Sequence, residues 1–135
     1  MKKLFLLVLM ALLAVPAFAQ SEGNTKSSKD DVVFVQVEQS AEFPGGISAM
    51  QQYLVNNIHY TKKARKNNIE GTVYVNFIVE KDGSISNARV IKGLGKGLDK
   101  VALKAVKKMP RWNPGMENGK PVRYQFTLPV RFRLQ

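Results

Sequence analysis

A chain of 135 residues, 44% apolar and 23% charged, holds enough material for one folded domain. It contains no cysteine and a single histidine, His59, which excludes disulfides, thiolate metal sites, cysteine catalysis and multi-histidine metal centres. Its formal net charge of +11 would suit nucleic acid, a membrane surface or an anionic polymer, and the N-terminus argues against the first.

The chain opens "MKKLFLLVLMALLAVPAFAQ". Lys2 and Lys3 form a charged start, an apolar run follows, and Ala17-Phe18-Ala19 is a small-x-small cleavage site. As a helix, the run from Leu4 to Ala19 would reach about 24 Å at ~1.5 Å per residue, short of the ~30 Å hydrocarbon core, and it contains Pro16. The expectation is a cleaved signal peptide over residues 1–19, export to the periplasm and a mature start at Gln20. No cysteine follows the run, so lipid anchoring is excluded. Export also argues against a nucleic-acid partner.

Residues 20–31 are polar and read as a flexible leader. The domain proper is expected over 32–135. "VVFVQV" (Val32–Val37) reads as a first strand, and "FPGG" (Phe43–Gly46) as a turn that opens a helix. From Ile47 to about Asn57 the period becomes helical, with Ile47, Met50, Tyr53, Leu54 and Ile58 on one stripe. Thr61 is placed to cap a short second helix that ends at Asn67-Asn68.

In "GTVYVNFIVEKDGSISNARVIKG", Val73, Val75, Phe77 and Val79 alternate with Thr72, Tyr74, Asn76 and Ile78. Asp82-Gly83 marks a hairpin turn, and Ser84 to Ile91 is the return strand. Leu98, Val101, Ala102, Ala105, Val106 and Met109 then follow helical spacing up to Pro110. "NPGMENGKP" (Asn113–Pro121) reads as a turn-rich loop. "PVRYQFTLPVRFRL" ends the chain with apolar residues at every second position from Val122 to Leu134. Pro129 lies inside that strand, and proline lacks the ladder N–H, so the strand belongs at an edge or a bulge. The fold class is α+β: a small antiparallel sheet, made of the hairpin and the C-terminal strand, packed against two main helices. The core is expected to include Val75, Phe77, Val101, Val106, Phe126 and Leu128.

The residues make a poor catalyst. Ser84 and Ser86 flank the hairpin, but His59 has no orienting acid near it in sequence. Asp82 and Asp99 serve more simply as a turn former and a first-turn helix acid. Gly93, Gly95 and Gly97 in "KGLGKG" match neither the phosphate-loop pattern nor the dinucleotide fingerprint. Trp112 reads as core. The reading is a non-enzyme with no cofactor and no metal.

The motifs "NNIHYTKKARKNNIEGTVYVNFIVEKDGSI", "LDKVALKAVKKMPRWNPG" and "GKPVRYQFTLPVRFRL" together resemble the C-terminal domain of TonB, the periplasmic energy-transducing protein of Gram-negative bacteria. The "EFPGG" entry is similar to a variant common in Bacteroidetes-type bacteria. The resemblance runs over about residues 32–135. It implies that the domain binds the TonB-box peptide of TonB-dependent outer-membrane transporters, the peptide adding as a strand beside the last strand. The implied peptide-binding residues are Val122, Arg123, Tyr124, Gln125, Phe126, Thr127 and Leu128, flanked by His59, Tyr60 and Thr61. Thr61 stands where the family usually has proline. A complete TonB also has a membrane helix and a long linker. Here twelve residues, Gln20 to Asp31, separate the cleavage site from the first strand, so a stand-alone periplasmic domain is expected. An open edge also offers self-pairing into a homodimer. The competing reading is a binder of an anionic envelope component, peptidoglycan or lipid, with no role in transport. It would use Arg123, Arg131, Arg133 and the lysine clusters at 62–66 and 104–108.

Overall fold

The computed structural model describes residues 32–134. The expected signal peptide and the leader lie outside the described residues. Among those described, no helix is long and apolar enough to cross a membrane. The elements run β1 (Val33–Phe34), α1 (Gly46–Asn57), α2 (Lys62–Lys66), β2 (Gly71–Val79), β3 (Ile85–Lys92), α3 (Leu98–Lys107), β4 (Gly115–Glu117) and β5 (Lys120–Phe132).

The sheet order is β1-β5-β2-β3, with β4 also paired to β5. β2 is the central strand. Val73, Val75, Phe77 and Val79 are buried on its helix-facing side, as their period-2 spacing requires. It pairs antiparallel with β3 through the Asp82-Gly83 turn, where Asp82 Oδ1 accepts from the Ser84 N–H at 2.9 Å. It pairs antiparallel with β5 from Gly71–Phe132 to Val79–Tyr124. α3 lays Leu98, Val101, Ala102, Ala105 and Val106 on this face. Before α3, the Asp99 carboxylate accepts from the Leu94 N–H at 2.7 Å and shapes the glycine loop. α2 starts where expected: Thr61 Oγ1 accepts from the Ala64 N–H, and its hydroxyl donates to the Lys96 carbonyl.

The α+β class holds, with four departures from the sequence reading. The strand expected at Val32–Val37 pairs only at Val33 and Phe34, and it runs parallel to β5, so the sheet is mixed rather than purely antiparallel. The chain bends at Val35, which is 67% exposed. The loop at 113–121 contains β4, which forms a hairpin with β5 through Asn118-Gly119. Both turn residues have positive φ, 50° and 74°, a conformation that Asn-Gly tolerates well. The apolar stripe of α1 is only partly buried: Met50, Tyr53, Leu54 and Ile58 pack against the core, while Ile47 is exposed. Of the expected core, Val75, Phe77, Val101, Val106 and Leu128 are buried, whereas Phe126 is only partly buried. Phe126 sits on an aromatic cluster, 5.2 Å from the Trp112 ring and 5.6 Å from Phe77.

Candidate functional site

β5 has two edges with different fates. Its inner edge is fully engaged by β2 from Tyr124 to Phe132. On its outer edge β1 takes Arg123 and Tyr124, and then the pairing stops. Among the described residues, no strand pairs with the outer edge from Gln125 onward. Pro129 lies opposite Tyr74 of β2. Having no N–H, it costs the ladder nothing only if its backbone faces away from β2. By alternation the N–H groups of Gln125, Thr127 and Arg131 then face outward too. The opposite alternation holds for side chains. Leu128, Val130 and Phe132 turn into the core, and Thr127, Pro129 and Arg131 are exposed.

Within Val122–Leu128, the stretch anticipated for peptide binding, the first three residues already have strand partners. Val122 pairs with Gly115 of β4, and Arg123 and Tyr124 pair with β1. Gln125, Phe126, Thr127 and Leu128 pair with β2 but have no strand partner on the outer edge among the described residues. Arg123 has a further engagement: its Nε donates to both oxygens of Glu80, at 2.9 and 3.0 Å. Both side chains of this pair are mostly buried. Arg131 and Arg133 are exposed and have no carboxylate partner among the described residues.

The structure does not bring His59, Tyr60 and Thr61 to Val122–Leu128. Tyr60 packs edge-on against Phe132, 5.8 Å between ring centroids, at the far end of β5. Its hydroxyl donates to the Ile69 carbonyl at 2.9 Å. Burial first, then the Glu70 carboxylate, raise the Tyr60 phenol above its ordinary value, which suits a permanent donor. Thr61 is spent on capping α2. His59 lines a groove with Asn57, Lys100, Lys104 and Lys108. These three lysines recur every fourth residue along the outer side of α3, so they share one face.

Sequence reasoning missed how α1 lies relative to β5. Two hollows are lined by residues of both α1 and β5. One, of about 200 Å³, is lined by Ile47, Met50, Trp112 and Phe126 among others. The other, of about 550 Å³, is lined by Leu54, Val55 and Ile58 and by Thr72, Tyr74, Pro129, Val130 and Arg131, so it reaches the outer face of β2 and β5. Trp112 is 3% exposed, and its Nε1 has no hydrogen-bond partner among the described residues. α1 is tied to α3 by the Tyr53 hydroxyl, which donates to the Ala105 carbonyl at 2.7 Å. Phe43 braces it, 5.5 Å from the Tyr53 ring. Among the described residues, no group of three or more His, Asp or Glu side chains could hold a metal ion.

The family described as Gram-negative bacterial TonB protein C-terminal matches residues 56–134, from the end of α1 through β5. The chain belongs to the TonB C-terminal family. Protein TonB of Vibrio cholerae is 32% identical over 77 residues, which are 56% of this chain and 31% of that protein. The chain thus spans about a third of that TonB relative's length. Among solved structures, a Helicobacter pylori TonB C-terminal domain is similar at 26% identity, over 65% of this chain and 92% of that one, with a TM-score of 0.49. A Pseudomonas aeruginosa TonB C-terminal domain is similar at 29% identity, over 58% and 79%, with a TM-score of 0.46. β1 and most of α1 precede the region matched to the TonB family.

Proposed function

We propose that this domain binds an extended peptide by strand addition along the outer edge of β5, from Gln125 to Arg131, and so serves TonB-dependent transport at the outer membrane. The peptide is the TonB box of a transporter. The observation that carries this reading is the outer edge left without a strand partner from Gln125 onward among the described residues, a stretch that contains Pro129, which has no N–H to donate. Such an edge is a template for main-chain pairing. Membership of the TonB C-terminal family supports the same reading. The role is one of binding, with no chemistry of its own. The protein works in the periplasm after loss of residues 1–19, so mass spectrometry of the exported protein should find Gln20 at its N-terminus.

The test is a titration of a synthetic TonB-box peptide into the isotope-labelled chain lacking residues 1–19. Amide shifts should concentrate on Gln125–Arg131. Thr127→Pro, which removes an outward donor, should weaken binding more than Thr127→Ala, which leaves it. Equal effects of the two substitutions, or no shifts along β5, would refute strand addition.

A second reading has its own observation. The groove of His59, Lys100, Lys104 and Lys108 has no carboxylate partner among the described residues, and it would suit an anionic envelope component. Exposed charges are screened within about 8 Å at physiological salt. Binding that maps to this groove and vanishes in moderate salt would favour the second reading over the first.

A further inference from the structure

We infer that the surface formed by α2, His59 and the outer side of α3 docks the domain onto a bilayer carrying anionic phospholipid headgroups. This rests on the reading of the His59 groove as a site for an anionic envelope component. It names that component and fixes how the domain is oriented on it.

Charge is unevenly shared over the described residues. Residues 62–66 supply four cations and residues 96–108 five, against a single carboxylate, Asp99. That carboxylate is committed to backbone, accepting from the N–H groups of Leu94 and Gly95. The remaining described residues hold eight cations and six carboxylates, which nearly cancel. All nine cations of the two segments are exposed, and none pairs with a carboxylate among the described residues. The segments meet where the Thr61 hydroxyl, at the start of α2, donates to the Lys96 carbonyl. His59 then shares its groove with Lys100, Lys104 and Lys108. Lysines at i and i+4 repel one another along a helix, a cost that an external layer of negative charge relieves.

The residue types favour a fluid anionic surface over a discrete ligand. Lysine is a hydrated point charge on a flexible stem, whereas recognition of one phosphate or carboxylate uses the rigid fork of arginine. Eight of the nine cations are lysine. The exception, Arg65, lies over the Tyr60 ring, 5.7 Å from its centroid. That ring packs edge-on against Phe132 and its hydroxyl donates to Ile69, so it is no platform on which a base or a sugar could stack. The ridge from Lys100 to Lys108 runs about 12 Å along α3, and α2 broadens it. Each lysine close to an anionic bilayer strengthens binding about fivefold, so several together hold the domain without any pocket.

The topology keeps this docking apart from strand addition. α3 packs over β2 and β3. The sheet order β1-β5-β2-β3 puts the outer edge of β5 on the other side of β2. A strand added there would lie two strand spacings, about 10 Å, from β2. A domain held through α2 and α3 therefore still presents its open edge. Docking confines that edge to the plane of the membrane in which the peptide's owner is embedded.

The exported protein, beginning at Gln20, is sedimented with three probes: vesicles of phosphatidylethanolamine and phosphatidylglycerol in equal parts, vesicles of phosphatidylcholine, and peptidoglycan sacculi. The anionic vesicles should bind it and phosphatidylcholine should not. Binding should fade between physiological salt and about 1 M, as the screening length falls from about 8 Å to about 3 Å. Lys100→Gln with Lys104→Gln should raise the lipid concentration for half-binding about 25-fold, about fivefold per lysine. Arg89→Gln with Lys120→Gln removes the same charge elsewhere. Arg89 lies opposite Asn76, and Lys120 pairs with Glu117 at the start of β5. That pair should change half-binding less than about threefold, since screening confines its reach. All four side chains are exposed, and circular dichroism checks that both variants fold. Equal losses from the two pairs would mean that net charge alone attracts the protein, and would overturn the inference. Sedimentation with sacculi but not with anionic vesicles would overturn it and leave the reading of an anionic component standing. Binding to neither would overturn both. Release from anionic vesicles by a TonB-box peptide would overturn the inferred orientation.

Discussion

Gly83→Ala offers a sharp test of how the hairpin is joined to the rest of the domain. Gly83 is the buried tip residue between β2 and β3, with φ at +88°. A non-glycine residue held in the left-handed region costs about 1–2 kcal/mol. Its carbonyl accepts from the Trp112 N–H at 2.8 Å. A Cβ built there would lie 2.0 Å from the Trp112 carbonyl oxygen. That backbone has little freedom to retreat, because the indole is wedged against Phe43, Phe77 and Phe126. Forcing extra atoms into such a site costs about 1–3 kcal/mol, and losing the Gly83–Trp112 hydrogen bond adds about 1 kcal/mol. The expected loss is about 3–6 kcal/mol, a large share of the ~5–15 kcal/mol typical of a domain. Gly119→Ala is the control. Its φ is +74°, with nothing within 4 Å of the added methyl group, so it should cost only the strain, about 1–2 kcal/mol. Urea unfolding followed by Trp112 fluorescence and by far-ultraviolet circular dichroism measures both. Equal losses for the two variants would refute the argument that close approach, rather than backbone conformation, makes Gly83 necessary.

Thr61→Ala should cost about 1–2 kcal/mol in urea unfolding, since the hydroxyl both caps α2 and donates to the Lys96 carbonyl; Thr61→Ser should recover most of it. Phe77→Ala should cost about 3–5 kcal/mol, whereas partly buried Phe126→Ala should cost about 1–3 kcal/mol; the reverse order in calorimetry would mean that the two faces of the sheet are wrongly assigned. The hydroxyl and backbone N–H of Ser84, and secondarily Arg111, hold the Asp82 carboxyl below the ordinary aspartate value. Its folded-state pKa is thus depressed, so its contribution to stability is present at neutral pH and fades as pH falls below the aspartate range. Stability measured against pH should show a shallower acid-side slope in Asp82→Asn.

Where local chemistry decided conformation, the elements were legible from the residues. The alternation from Val73 to Val79, the Asp82-Gly83 turn and the Thr61 cap are short-range devices, and each appears as expected. β4 was legible too, in the Asn118-Gly119 dipeptide, but the glycines and prolines around it disguise a three-residue strand as loop. "VVFVQV" shows the limit. Its β-branched residues favour extended backbone along its length, yet only two residues find a partner, because the chain must turn to reach Gln39, whose backbone bridges Met116. Strand length was set by pairing partners, which propensity does not contain.

The sequence by itself determined that the last strand has one buried face and, through Pro129, that one of its edges stays outside the ladder. Both follow from a period of two and from a missing N–H, which are properties of the residues themselves. Which edge is open, and over what stretch, depended on the other strands. β1 and β4 claim the start of β5, which moves the vacant stretch to Gln125 and beyond. The role of α1 was likewise a tertiary matter. Its helical stripe packs Met50, Tyr53, Leu54 and Ile58 against the core but is only partly covered there. Tyr53 and Phe43 hold α1 beside the margin of the sheet, where the layer stops at β5 and Ile47 and Val55 remain in water.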